Sequence, residues 1–215
     1  NYYWLMLKKV TLTAGNGTMP SYSGSAYSCL PWAGSSVKSV IVEEGVTNIG
    51  DYAFYNLSSL TNITLPSTLK TIGQSAFSGC TGLTDITIPD SVTSIGTSAF
   101  SNCSYLSNVN FGNSRAVIGR DTFYGCKRLS NVKLGNVKSI GQNAFYDCDG
   151  LKTVVLPKAT TNIGNQAFYD CDGLESFTCG EFLTNIGDSV FNGCDSLKEV
   201  QLNEGLTTIG TNVFN

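Results

Sequence analysis

The chain contains no histidine, and its 13 Lys and Arg are outnumbered by 16 Asp and Glu across 215 residues. Without an imidazole there is no Ser-His or Cys-His pair to activate a nucleophile, and no His ligand for a metal. A net charge of −3 leaves no basic stripe to follow phosphates, so nucleic acid is not an expected partner. No apolar run approaches the roughly 20 residues that span a bilayer, which argues against membrane insertion by this segment. No signal peptide is present, so export would require a leader already removed. CxxC pairs of the kind that hold zinc are also missing. Two carboxylates beside a cleft can hydrolyse a glycoside, but the shallow face expected below gives them no deep pocket. The chain is therefore read as no enzyme, with no cofactor and no metal centre.

What the chain does have is a period. Ile-Gly pairs place glycines at Gly50, Gly73, Gly96, Gly119, Gly141, Gly164, Gly187 and Gly210, in steps of 23, 23, 23, 22, 23, 23 and 23 residues. Four residues past each stands a phenylalanine, from Phe54 and Phe77 to Phe214. A repeat that strict predicts a solenoid, because one unit cannot bury its own apolar face and stacking buries it against its neighbours. Each unit carries a leucine (Leu60, Leu83, Leu106) and then an alternating pair such as Ile63 and Leu65 or Ile86 and Ile88, the pattern of a short strand with one buried face. Pro66, Pro89 and Pro157 end that strand. A second β-branched pair, such as Val92 and Ile95, predicts another short extended segment. The glycine then allows a turn, and Ala-Phe-x-x-Cys reads as a turn of helix or 3₁₀.

The consensus LxxIxIPxxVxxIGxxAFxxC resembles the BspA-like branch of the leucine-rich repeats, over about Val37 to Asn215. The resemblance implies a right-handed repeat solenoid, with short parallel strands on one face and short strands with helical or 3₁₀ turns on the other. It also implies a secreted or cell-surface protein of bacterial or protist type that acts in adhesion, toward host matrix proteins or other cells. Residues 1–36 are expected to form an N-terminal cap, with Tyr2, Tyr3, Trp4, Leu5, Met6 and Leu7 covering the first edge and Tyr22, Tyr27 and Trp32 in its loops. Residues 37–215 then form about seven and a half repeats. The chain stops at Phe214 and Asn215 halfway through a unit, the expectation for a C-terminally truncated array or for an end that self-associates with another copy.

Six of the eight cysteines share one repeat position, at Cys80, Cys103, Cys126, Cys148, Cys171 and Cys194, where Leu57 stands in the first unit. They are expected to be a column of buried free thiols, since parallel Cβ vectors make the disulfide torsion hard to reach. Cys179 is expected in the core, and Cys29 has no assigned place. Three departures from the repeat stand out: Arg115 on a position elsewhere apolar, a shortened turn at Gly135 to Val137, and Thr160 replacing an apolar residue. Such irregularities mark either a contact site or drift in a surface turn.

The array is expected either to bind or to serve as a structural spacer in a larger surface protein, and two surfaces are candidates for binding. The outward residues of the strands, among them Asn62, Thr64, Asp85, Thr87, Asn108, Asn110, Asn131 and Lys133, tile the sheet face where a protein partner would dock. That face is small and polar, with few of the aromatic anchors typical of binding hot spots. On the turn after each phenylalanine, Tyr124, Tyr146 and Tyr169 form a row, preceded by Tyr55, able to pack on a protein or on the sugar rings of a polysaccharide. Beside it run Asp147, Asp149, Asp170 and Asp172, with Asp195 beyond. Like charges so close either stay wet or recruit a cation; DCDG resembles part of a calcium loop but lacks the later carboxylates of an EF-hand.

Overall fold

The computed structural model describes residues 9–12, 17–22, 30, 32–33 and 36–215. Each coil crosses two sheets. The longer strands are β1 (Lys9–Leu12), β2 (Ser39–Val42), β4 (Asn62–Thr64), β6 (Asp85–Thr87), β8 (Asn108–Asn110), β10 (Asn131–Lys133), β12 (Thr153–Val155), β14 (Ser176–Thr178) and β16 (Glu199–Gln201). Two-residue strands alternate with them: β3 (Asn48–Ile49), β5 (Thr71–Ile72), β7 (Ser94–Ile95), β9 (Val117–Ile118), β11 (Ser139–Ile140), β13 (Asn162–Ile163), β15 (Asn185–Ile186) and β17 (Thr208–Ile209). All pairing is parallel and in register by one repeat, as with Ile72 opposite Ile95. The two-residue strands form one unbroken eight-stranded sheet, whereas the longer strands form three separate sheets, β1-β2-β4, β6-β8-β10 and β12-β14-β16.

The core lies between these sheets. Phe54, Phe77, Phe100, Phe123, Phe145, Phe168 and Phe191 are buried and stack, with Phe214 at the end, at ring-centroid spacings of 5.1 to 5.8 Å. Burying one such side chain contributes about 1.5–3 kcal/mol, so the row holds the coils in register far more firmly than any surface pair. Among the tip residues expected in the cap, Tyr2, Tyr3, Trp4, Leu5, Met6, Leu7 and Tyr27 lie outside the described residues, as does Cys29. Trp32 stacks on Phe54 at 5.8 Å and donates its indole N–H to Ala53 O at 2.8 Å, while the Tyr22 N–H donates to Asp51 O.

The helical or 3₁₀ turns expected after each glycine are absent: among the described residues the Ala-Phe segment is a run of turns. Its hydrogen bonds explain why. Ala53 N–H donates back to Gly50 O within the coil, but Tyr52, Phe54 and Asn56 donate forward to Gln74, Ala76 and Ser78 of the next coil. A helix would satisfy these groups internally and leave none to join the repeats. The alternation needs left-handed backbone twice per coil, first at Tyr52, Ser75, Ser98, Asp121, Asn143, Gln166, Ser189 and Asn212. The second position is held by Asn56, Gly79, Asn102, Gly125, Asp147, Asp170 and Gly193, the residue types that adopt it most readily.

The Ile-Gly glycines also serve differently from expectation. None has a positive φ; a Cβ on Gly164 would lie 2.6 Å from Gln142 N, and one on Gly96 would lie 2.7 Å from Gln74 N. Close approach of successive backbones, rather than turn freedom, excludes a side chain there.

Candidate functional site

The strand face is built by alternation: in β6, Ile86 is buried while Asp85 and Thr87 are exposed, and β4 presents Asn62 and Thr64 in the same way. Its first interruption falls between these two strands. Where neighbouring strands pair, each coil hands a backbone N–H to the one before, as Asn62 to Lys38 O, Asn108 to Thr84 O and Asn131 to Ser107 O. No backbone hydrogen bond joins β4 to β6, so the Asp85 N–H lacks that partner. A cleft of about 640 Å³ opens there. Asn62, Thr64, Asp85 and Thr87 line it, and with them Glu44, Leu65, Ser67, Pro89 and Asp90. Glu44 accepts from Ser67 N and Oγ at 2.8 and 3.0 Å, which holds its carboxyl below the usual value, and Asp90 accepts from Asn113 N at 2.7 Å. No lysine or arginine lines the cleft, so its potential is negative.

The other strand-face candidates sit beside the cleft. Asn108, Asn110, Asn131 and Lys133 belong to β8 and β10, which pair continuously with β6. At the second interruption, between β10 and β12, the apolar side chains of Val132, Leu134, Phe145, Leu151, Val154 and Phe168 lie together and leave no space for a water molecule. Glu44, Ser67 and Asp90 were not singled out by the strand alternation, since they lie on turns. The carboxylate just after Pro89 was the available signal.

On the turn side Tyr124, Tyr146 and Tyr169 form a stack with centroids 4.9 Å apart and interplanar angles of 18° and 9°. Tyr55 does not join it and meets Tyr52 edge-on at 5.6 Å. The Tyr146 hydroxyl lies 3.5 Å from Asp170 Oδ2, and burial, then the Asp170 charge, raises its pKa. The neighbouring carboxylates have a cation within the chain: Lys127 Nζ is 2.9 Å from Asp147 Oδ1 and 3.6 Å from Asp149 Oδ2. Among the described residues no cluster of His, Cys, Asp or Glu is arranged to hold a metal ion. Asp147 and Asp170 occupy the left-handed backbone position that Asn and Gly fill in other coils, which gives the acidic row a conformational reason.

The cysteine column is a row of free, buried thiols. Each donates to a phenylalanine carbonyl of the preceding coil, Cys80 to Phe54 O at 3.1 Å and Cys126 to Phe100 O at 3.2 Å. Burial pushes the Cys80 and Cys126 thiols up to about 12 and those of Cys103, Cys148 and Cys171 well above the ordinary value, so thiolate chemistry is suppressed at neutral pH. Cys179 is half-buried against the core. At the C-terminal end expected to self-associate, Phe214 stacks on Phe191 and remains exposed.

Arg115 points outward, as its charge requires, and Ala116 turns in to fill the core in its place. Ser114 fixes this exchange, donating its Oγ to Val92 O at 2.8 Å and accepting from Ala116 N at 3.1 Å. Thr160 is tolerated in the core because its hydroxyl donates to Val137 O at 2.7 Å. Among the described residues no helix is long and apolar enough to cross a membrane.

The sequence pattern of the BspA type leucine rich repeat region matches residues 31–136 and 116–215, in six copies. Among solved structures the chain is similar to the T. pallidum leucine rich repeat protein TpLRR, at 30% identity and a TM-score of 0.64, over 92% of this chain and 79% of that one. It is also similar to a leucine rich cell surface protein of Faecalibacterium prausnitzii A2-165, at 26% identity and a TM-score of 0.69, over 96% of this chain and 66% of that one. No curated protein sequence matches closely enough to count as a relative.

Proposed function

Because the chain belongs to the BspA-type leucine-rich repeat family, we propose that it is a non-enzymatic, secreted or surface-displayed adhesion module that grips a protein partner with its polar strand face. The similar Faecalibacterium protein is described as a leucine rich cell surface protein, which supports that location. The observation that carries the proposal is the cleft between β4 and β6. It combines an unclaimed Asp85 N–H with the apolar side chains of Ile63 and Leu65 and the carboxylates of Glu44, Asp85 and Asp90. An extended segment of a partner gains backbone pairing at such an edge and side-chain specificity from the pocket beside it. The absence of lysine and arginine from the lining favours a segment that carries positive charge.

The polysaccharide alternative is weaker on the same surface logic. With the tyrosine centroids 4.9 Å apart, the inner faces of Tyr124, Tyr146 and Tyr169 are spent on one another, and a sugar ring has no room between them.

The test is retention of a panel of matrix proteins (fibronectin, fibrinogen, laminin) on the immobilised chain. Wild type is expected to hold at least one, and Asp85→Lys/Thr87→Arg is expected to lose about tenfold or more of that affinity with its melting temperature unchanged. Equal retention by this variant, or no retention of any panel member by wild type, sinks the reading. Retention of a polysaccharide instead, lost on replacing the three tyrosines by alanine, would transfer the function to the turn side.

A further inference from the structure

The three departures from the repeat meet at one place. In the fifth unit, which ends its second strand at Gly141, only Gly135 and Asn136 separate the strand end Leu134 from Val137, where other units have three residues, as Pro66, Ser67 and Thr68 between Leu65 and Leu69. Over that shortened turn lies a cleft of about 330 Å³ lined by Arg115, Asn136, Lys138, Ala159 and Thr161. It draws on the coil before, the short coil itself and the coil after.

We propose that this cleft is a carboxylate site, taking an aspartate or glutamate side chain of an acidic peptide. Its charge is unopposed, since Arg115 and Lys138 line it, no acid does, and neither forms an ion pair. Other cations are held within the chain, Arg120 by Asp121, Lys127 by Asp147, Lys158 by Glu181 and Arg128 over the Tyr105 ring. Lys133, which also has no ion pair, stands alone on its strand rather than beside a second cation in a cleft. The guanidinium side chain is directed outward by structure, because Ala116 occupies the core position and the Ser114 hydroxyl bonds the backbone on both sides. Asn136 adds a side-chain amide with no hydrogen-bond partner, and the Thr161 hydroxyl makes only a long bond to Lys138 O at 3.5 Å. A planar guanidinium with an ammonium and an amide beside it matches the two oxygens of a carboxylate.

A sulfated polysaccharide fits less well. Binding a polyanion needs a run of cations, and here a cleft with two sits in a chain of net charge −3. A single acidic side chain can enter without carrying further negative charge along the surface. This inference concerns a separate cleft, further along the stack, and does not depend on the strand cleft.

The experiment is an NMR titration of the 15N-labelled chain with tetra-glutamate at low salt, with tetra-glutamine and a heparin-derived tetrasaccharide as parallel arms. Tetra-glutamate is expected to shift the Arg115 Nε–H, the Asn136 side-chain amide and the Thr161 amide saturably, and tetra-glutamine is expected to leave them in place. Arg115→Gln/Lys138→Gln removes only exposed groups and should weaken the interaction about tenfold or more, whereas Arg115→Lys/Lys138→Arg should retain most of it. Equal shifts from tetra-glutamine, or unchanged binding by the glutamine variant, overturn the proposal. Tighter binding of the tetrasaccharide than of tetra-glutamate overturns it in favour of a sulfated glycan.

Discussion

The two sides of each coil obey different rules. On the Ile-Gly side eight strands pair without a gap, and the turns that follow add their own forward hydrogen bonds from coil to coil. On the other side longer strands, with more residues to pair, break into three sheets. Close backbone approach alone does not make the difference: a Cβ on Gly164 would lie 2.6 Å from Gln142 N on the continuous side, and one on Gly82, just before the first break, would lie 2.7 Å from Ser58 O on the other. The continuous side fixes the pitch, and the interrupted side is left with edges that a ligand can use.

The largest expected effect breaks the continuous side. Gly164→Ala puts a methyl group 2.6 Å from Gln142 N and 2.8 Å from Gly141 C, both backbone atoms of the preceding coil that cannot step aside alone. Forced overpacking of this kind costs about 1–3 kcal/mol, a drop in Tm of roughly 3–10 °C for a chain of this size. Thr153→Ala, on an exposed strand-face position, should stay within about 0.5 kcal/mol of wild type. Thermal unfolding of the two variants side by side decides the matter, and comparable melting temperatures would refute the division.

Hydrogen exchange sharpens the comparison at single amides. The Asn108 and Asn131 N–H groups donate to Thr84 O and Ser107 O at 3.2 and 3.1 Å, whereas Asp85 and Thr153, at the same repeat position beyond the two breaks, have no such bond. Exchange from Asp85 and Thr153 should therefore run about tenfold or more faster, because no opening event has to precede it. Protection at Asp85 equal to that at Asn108 would mean that β4 and β6 pair in solution and that the cleft is closed.

Much of this was legible in the chain. The period gave the solenoid, the alternating pairs gave both sets of strands, and the column of cysteines was readable as buried thiols from Leu57 at its head. The turns were misread because Ala-Phe-x-x-Cys has helical apolar spacing, and tertiary hydrogen bonding between coils overrode it. A signal against helix was present in Asn56, Gly79, Asn102, Gly125, Asp147, Asp170 and Gly193, which share one position and one tolerance for left-handed backbone. The sheet breaks had no such signal. Gly82 and Gly150 precede the coils where pairing fails, but Gly173 holds the same position where β12 and β14 pair normally.

The smallest expected effect concerns charge on the turn side. Asp149 titrates above the ordinary carboxylate value of 3.8, chiefly through burial and then through Asp147, with Lys127 pulling it back and Asp172 raising it. A carboxyl raised in the folded state costs stability fully above its folded pKa, and the cost disappears as the pH falls through that value and below 3.8. Lys127 has the opposite sign: its own pKa is raised above 10.5, first by the hydrogen bond it donates to Asp147, so its stabilisation holds below 10.5 and is lost as the pH rises through the folded value. Because Lys127 is exposed, solvent screening keeps the energy of the pair small, and the titration itself is the better readout. Lys127→Met removes the one nearby cation that lowers Asp149, so Asp149 should titrate at a still higher pH in a 13C carboxyl NMR titration. An unchanged or lower value would mean that the lysine does not hold the acidic row together, and that the turn side, like the strand side, keeps its charges independent from coil to coil.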